Sequence, residues 1–272
     1  MDEKQFRGMV ERIILTRLAA AGERFVPVAA SARHVHLSRR DIDRLFSTGY
    51  QLRKLRDLTQ PGQYACQERV ALETPKGRLM LRVLGPPREE TQVELSAGDT
   101  VKLGLPPVIR MSGELEGTPG GLLVNGDKRL ELPRGIIVAR RHLHISHREA
   151  AAYGLGDGDT VSLTAEGERP LVFRGVIVRV GEEYLLEAHI DQDEANAAAL
   201  GEGALWRLST EAAAPPRKEA TSPAKGRRGR ALVTEEDVRA AYKAGETRLS
   251  HPTDAIITPL ARDAARSYGI KL

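Results

Sequence analysis

One six-residue phrase is written twice in this 272-residue chain. It reads Arg33-His34-Val35-His36-Leu37-Ser38 and then, 108 residues on, Arg141-His142-Leu143-His144-Ile145-Ser146. Each copy follows a short run of small or β-branched residues, 26–32 and 136–139, which predicts a strand. Residues two apart on a strand share a face and stand roughly 6–7 Å apart. The two imidazoles of each pair therefore aim at one point, and Val35 and Leu143 face away. Both copies end in a helix start: Ser146 with Glu149 has the pattern of a capping box, and Ser38 with Asp41 a weaker one. A single His-x-His is as readily a solvated polar face. Two copies with the same flanks point to a metal.

The repeat extends loosely. Arg82-Val83 followed by Thr91–Ser96 is echoed by Arg179-Val180 followed by Leu186–Asp191, which sets Glu94 in the place of His189. Each half then offers two histidines and one further ligand, as expected from duplication of one barrel-like unit. Five imidazoles and a carboxylate are an N/O donor set for which zinc is the usual ion. Six ligands are too many for one tetrahedral zinc, so two ions with open positions fit better, and open positions mean catalysis. Gly85-Pro86-Pro87-Arg88 reads as a rigid turn whose arginine could grip phosphate in a fork. Arg33 and Arg141 alternate to the opposite face and read as supports of the barrels. His147 reads as a surface residue or a support behind the ligands, His251 has no neighbours in the sequence to act with, and Cys66 reads as a small buried residue rather than a nucleophile.

Between 25 and 208 many short strands are broken by Gly and Pro turns, among them Gln92–Leu95, Thr100–Leu103 and Leu171–Val180. This spacing argues for a mainly β chain of barrels or sandwiches rather than a doubly wound sheet. Gly98-Asp99-Thr100-Val101 and Gly158-Asp159-Thr160-Val161 read as one β-turn used twice. Residues 2–20 predict an amphipathic helix with Phe6, Met9, Val10, Ile13, Ile14 and Leu18 on one side, closed by Gly22. It either packs on the body or docks elsewhere.

Residues 213–230 carry six Lys or Arg and one Glu, a balance of +5 that leaves the rest of a +4 chain at −1. A disordered linker is expected at 210–231, and no basic face is left for nucleic acid. Beyond it, 232–272 predicts two helices, capped by Thr234 and Thr258 and ended by Gly245 and Gly269, with a short strand at 255–257. No apolar run is long enough for a membrane span, and a lone cysteine suits a reducing, cytoplasmic setting.

The phrases Ala32–Ser38, Asp57–Gln63, Val83–Pro86, Thr91–Ser96, Ile136–Ile145 and Glu187–Asn196 occur in order. In them the chain resembles the phosphotransacylases of the PduL type, the phosphate propanoyltransferases of bacterial microcompartments. The resemblance implies two consecutive small β-barrels with short capping helices, 23–140 and 141–209, with the strand 25–32 joining the second. It implies two zinc ions and transfer of an acetyl or propanoyl group between coenzyme A and phosphate, acyl-CoA and phosphate being the substrates. By position, His34 and His36 resemble ligands of the zinc that meets the CoA sulfur. His142, His144 and His189 resemble ligands of the second zinc, Glu94 lies between the two, and Arg88 resembles the phosphate-binding arginine. Residues 1–22 resemble an encapsulation peptide, which implies shell or core proteins of a microcompartment as partners. The linker and the C-terminal module depart from the family's core.

Two other readings stay open on the residues. A dinuclear zinc hydrolase would use the same donors, although the His-x-His-x-Asp-His signature of metallo-β-lactamase-like enzymes is missing. A metal-stabilised scaffold without catalysis is the other. Acyl chain length and oligomeric state are left open.

Overall fold

The structure, a computed structural model, describes residues 3–210 and 231–272. Residues 211–230, most of the expected linker, lie outside the described residues. The chain divides into a larger unit, Met1–Ala212, and a smaller one, Ala213–Leu272.

The larger unit opens with helix α1 (Glu3–Ala20) and continues through β1 (Phe25–Ser31), β2 (His34–Ser38) and α2 (Arg39–Leu45). Then come β3 (Lys54–Asp57), β4 (Tyr64–Thr74), β5 (Gly77–Arg88), β6 (Gln92–Leu95) and α3 (Ala97–Leu103). Four short strands follow, β7 (Ile109–Arg110), β8 (Gly121–Asn125), β9 (Lys128–Leu132) and β10 (Ile136–Ala139). The second histidine pair lies on β11 (His142–Ile145), before α4 (His147–Tyr153), β12 (Thr160–Ala165) and β13 (Leu171–Val180). The unit ends with β14 (Glu187–Asp191), α5 (Gln192–Ala197) and β15 (Leu205–Thr210).

Six strands close a barrel in the order β1-β14-β11-β13-β12-β15. The other nine form the sheet β7-β10-β6-β2-β5-β4-β8-β9, with β3 on the edge of β4. This sheet stands where the first barrel is expected and wraps its own aliphatic core, with Val35, Leu37, Leu72, Leu81, Val93 and Leu123 all buried. Val26, Leu143, Ile145, Val161, Val176 and Trp206 belong to the barrel core. Each such side chain, taken from water, contributes about 1.5–3 kcal/mol.

The strands that lead into the histidine pairs are exchanged between the two sheets. β1 precedes β2 but pairs in parallel with β14 of the barrel, Ala29 opposite His189. β10 precedes β11 but pairs in parallel with β6 of the open sheet, Ile137 opposite Glu94. Each time the chain crosses between sheets in two residues, Ala32-Arg33 and Arg140-Arg141. The crossings set the two histidine strands close together.

Each strand of the site runs into a short helix whose first N–H groups need an acceptor. Ser38, Ser96, Ser146 and Asp191 supply it, each accepting from the N–H three residues on. Ser146 with Glu149 closes the full capping box, whereas Ser38 with Asp41 makes only the side-chain half. The arginines before the histidine pairs complete the symmetry. Arg33 Nε lies 2.8 Å from Asp99 of α3, and Arg141 Nε 2.7 Å from Glu194 of α5.

Three local expectations give way. Thr100–Leu103 is not a strand but the end of α3: Ser96 caps the helix and Gly104, at φ 65°, ends it in the left-handed conformation that glycine adopts without strain. The two Gly-Asp-Thr-Val phrases are therefore unlike, the first inside α3 and the second leading into β12. Gly85–Arg88 is no turn but the end of β5, with the Gly85–Pro86 bond cis. In β2 the partner of Val35 is Val83, and in β11 the partner of Leu143 is Val178. Arg82 thus corresponds to Ile177 and Leu84 to Arg179, two residues off the echo read from the sequence.

Helix α1 is seated by Leu15 and Ala19, both buried in the barrel core, while Phe6, Met9, Ile13, Ile14 and Leu18 stay exposed. In the smaller unit, β16 (Leu232–Val233) pairs in parallel with β17 (Ile256–Ile257). Helices α6 (Glu235–Lys243) and α7 (Pro259–Tyr268) carry the expected caps, Thr234 with Asp237, and Thr258 followed by Pro259. Val233, Val238, Ala261, Ala264, Ala265 and Ile270 form a small core of their own. No helix among the described residues is long and apolar enough to cross a membrane.

Candidate metal centre

The six residues read from the repeat come together in two groups of three, His34, His36 and Glu94 in one and His142, His144 and His189 in the other. Within each group one ligand atom per residue lies within 4.8 Å of the others. Strand pairing builds both alike: His34 faces Glu94 across β2 and β6, and His142 faces His189 across β11 and β14. Glu94 therefore holds the place of His189, as the repeat requires.

In each pair the first histidine is fixed by the backbone. His34 Nδ1 lies 2.8 Å from the Ala32 carbonyl, and His142 Nδ1 2.8 Å from the Arg140 carbonyl. A carbonyl only accepts, so Nδ1 carries the proton and Nε2 keeps its lone pair. The second histidine of each pair is left open. Buried His36 Nδ1, His144 Nδ1 and His189 Nε2 have no hydrogen-bond partner. A Glu187 oxygen stands 3.1 Å from His189 Nε2, near enough for an ion pair but out of line for a hydrogen bond.

An unpaired buried nitrogen costs about 1–3 kcal/mol, and native proteins rarely leave such groups without a partner; here one lies in the first group and two in the second. A cation that accepts lone pairs relieves that cost. Three imidazoles in one group, and two with a carboxylate in the other, suit zinc with room for a further ligand.

The charge states agree. Burial, then the charges of His189 and Arg179, lowers His142 to about 4 against the opposing pull of the Arg140 carbonyl and Glu94. Burial with His142 and His189 lowers His144 to about 2. His36 is driven well down by burial, His34 and Arg88. These rings are neutral at pH 7, as ligands must be. Burial alone would raise the Glu94 carboxyl, but His34, Arg88 and His142 together hold it below its ordinary value. These charges come from both groups, so Glu94 lies in the field of each.

Arg88 ends β5, half-buried, and is tied to Glu94 by a short chain of side chains. Its Nη1 donates to Ser112 Oγ at 2.7 Å, Gln92 Nε2 donates to the same oxygen at 2.9 Å, and Gln92 Nε2 lies 2.6 Å from Glu94 Oε1. The Gly113 N–H closes the loop on Gln92 Oε1 at 2.7 Å. The remaining donors of the Arg88 guanidinium are available to an anion. A cleft of about 720 Å³ lies against it, with Ser38, Arg40, Arg44, Thr91 and Arg134 in its wall. A narrow recess lined by Ser31, Glu94, His142, His189 and Asp191 opens on the other group.

His147 is exposed at the start of α4, and His251 lies in the smaller unit with Nδ1 2.9 Å from the Pro252 carbonyl. Cys66 is fully buried, and burial with Glu68 beside it pushes its thiol up to about 11. Sequence reasoning passes over Gln92 and Tyr184. Gln92 carried a signal, two residues from Glu94 on the same strand face. Tyr184, whose ring lies 4.4 Å from that of His144, carried none.

Residues 27–201 match the phosphate propanoyltransferase family. A phosphate propanoyltransferase of Sebaldella termitidis is 44% identical over 204 residues, 75% of this chain and 96% of the relative. One from Thermotoga maritima is 48% identical over 180 residues, 65% of this chain and 86% of its own. One from Salmonella typhimurium is 44% identical over 200 residues, 73% and 93% of the two chains.

Proposed function

The chain belongs to the phosphate propanoyltransferase family, a family of phosphate acyltransferases, and from that premise we propose that it is a two-zinc enzyme interconverting acyl-CoA and phosphate with acyl phosphate and CoA. Acetyl and propanoyl groups are the proposed acyl range. The observation that carries the zinc reading is the set of unpartnered buried nitrogens on His36, His144 and His189. His34, His36 and Glu94 would hold one ion, and His142, His144 and His189 the other. When bound, such ions supply Lewis acidity toward a sulfur anion or a carbonyl oxygen.

The protein's own groups do the rest. Arg88, braced by Ser112, presents its free N–H donors to phosphate as a fork and holds it beside the ligand groups. Gln92 fixes the Glu94 carboxylate from one side, so that its second oxygen faces His34 at 3.5 Å. A phosphate oxygen bonds to the acyl carbon as the carbon–sulfur bond breaks, and the electron pair leaves with sulfur. Positioning two bound reactants supplies much of the rate. An acyl-enzyme is not needed, and Cys66 is too buried and too weakly acidic to form one.

The exposed row Phe6, Met9, Ile13, Ile14 and Leu18 on α1 supports a second element of the reading. This face attaches the enzyme to a shell or core protein of a bacterial microcompartment, in the manner of an amphipathic helix in a groove. The assay that tests the catalytic reading is CoA release from acetyl-CoA and propanoyl-CoA, with and without phosphate, before and after chelation. Release is expected to need phosphate, to stop on metal removal and to return with zinc. Equal release without phosphate would make the protein a hydrolase, and no release from the zinc-loaded protein would leave it a scaffold.

A further inference from the structure

We propose that Arg179 is a second phosphate-binding arginine of this site, taking the phosphoryl group together with Arg88 and held in place by Tyr184. The inference rests on the phosphotransacylase reading and names a residue of the same site.

Arg179 lies on β13 directly opposite His144 of β11. In-register residues of neighbouring strands project to one face, so its side chain shares the face of the ligand cluster. The equivalent place in the other sheet, opposite His36, is Leu84. The charge is thus an addition to one half, not part of the repeated frame. The Arg179 guanidinium stands 5.8 Å from the centre of the Tyr184 ring, and that ring packs on His144. Imidazole, phenol and guanidinium form a continuous stack at the edge of the site.

Tyr184 is itself fixed from two directions. A side chain on Gly181 would meet its ring at 2.7 Å, so glycine is what lets the ring lie over the backbone there. From the loop between β3 and β4, the buried Gln60 side chain clasps the next residue. Its Nε2 donates to the Leu185 carbonyl at 2.9 Å, and its Oε1 accepts the Leu185 N–H at 3.1 Å. This gives the Asp57–Gln63 stretch a physical task that its sequence did not disclose.

The charges point to an anion. Arg33 and Arg141 have carboxylate partners, whereas among the described residues neither Arg179 nor Arg88 forms an ion pair. Arg88 is lowered first by burial; Glu94 raises it, and the charge of Arg179 lowers it again. The two half-buried guanidiniums feel each other's charge, and Glu94 offsets this at Arg88; an anion between them would relieve the repulsion further. A phosphate dianion offers each a charge-assisted fork.

The test uses the zinc-loaded full chain and its Arg179→Gln and Arg179→Lys variants. Initial rates are measured with phosphate and acyl-CoA varied separately, and inorganic phosphate is titrated calorimetrically without acyl-CoA. Arg179→Gln is expected to raise the phosphate KM and Kd roughly ten- to hundredfold, with the acyl-CoA KM and zinc content unchanged; Arg179→Lys recovers part of the loss. Tyr184→Phe, which keeps the ring, should retain phosphate affinity, and Tyr184→Leu should lose it. An unchanged phosphate KM and Kd in Arg179→Gln overturns the proposal, as does a rise confined to acyl-CoA. Should the unaltered enzyme release CoA without regard to phosphate, the phosphotransacylase reading falls first and the role of Arg179 with it.

Discussion

His34 and His142 stand in the same place of two different sheets. Each donates its Nδ1 proton to the carbonyl two residues behind it at 2.8 Å, and each faces the third ligand of its group across an antiparallel pairing. The equivalence continues outward through Arg33 and Arg141 to Asp99 and Glu194. The repeated element is therefore a frame of candidate ligands with its bracing, of which the histidine phrase is the visible part.

Metal-stripped protein should lose stability in mild acid. His142 protonates at about 4 in the folded chain, against 6.5 for an unperturbed imidazole. As pH falls below 6.5 the unfolded chain takes up the proton first, so stability is full above 6.5 and is lost progressively toward 4. His36 and His144, also lowered, act in the same direction. Urea midpoints between pH 4.5 and 7 measure this; a flat profile would mean that these rings take up protons alike in the folded and unfolded chain.

Arg88→Lys keeps the charge but loses the planar fork. A cost of about 1.5–3 kcal/mol in phosphate binding is expected, with zinc content and acyl-CoA KM preserved. Steady-state kinetics at saturating acyl-CoA decide it. Unaltered phosphate dependence would confine Arg88 to bracing Ser112.

Arg33→Ala strands the Asp99 carboxylate, whose side chain is almost wholly buried, with only Lys102 Nζ at 3.4 Å. Arg141→Ala removes the ion-pair partner of Glu194, which is less buried and keeps the Asp191 N–H at 3.1 Å. Losses of about 1–3 kcal/mol are expected, the larger at Arg33. Equilibrium unfolding in urea ranks the two, and equal midpoints for both variants and the parent would remove these pairs from the account of stability.

Helix α1 should separate into two functions by face. Leu15→Ala cuts into the barrel core and should cost about 2–5 kcal/mol. Ile13→Ser, at an exposed position, should change stability by no more than about 0.5 kcal/mol while abolishing co-purification with microcompartment shells. Thermal melts and shell pull-downs read the two effects. A melt for Ile13→Ser as low as that of Leu15→Ala would assign the exposed face to the fold.

The grouping of the candidate ligands was legible because strand period and repeat reinforce each other: His34, His36, Glu94 and their counterparts sit where alternation alone puts them. Thr100–Leu103 misled because Thr100 and Val101 favour strands locally, while the Ser96 cap and Gly104 stop decide for helix. The echo of Arg82-Val83 in Arg179-Val180 misled because like residues recur two positions out of register. Tyr184 and Gln60 were beyond reach, since their roles come from contacts across 40 to 125 positions that no local pattern encodes.

The crossing of β1 and β10 between sheets bears on how such a chain could arise. Half of it, expressed alone, would carry a leading strand whose hydrogen-bond partners belong to the other half. Such a fragment completes its sheet only by lending that strand to a second copy and borrowing one in return, as a two-fold dimer with swapped arms. Fusing two such copies end to end would keep every pairing and make the exchange intramolecular. It would also free the two ligand frames to diverge, so that one could hold a glutamate where the other kept a histidine.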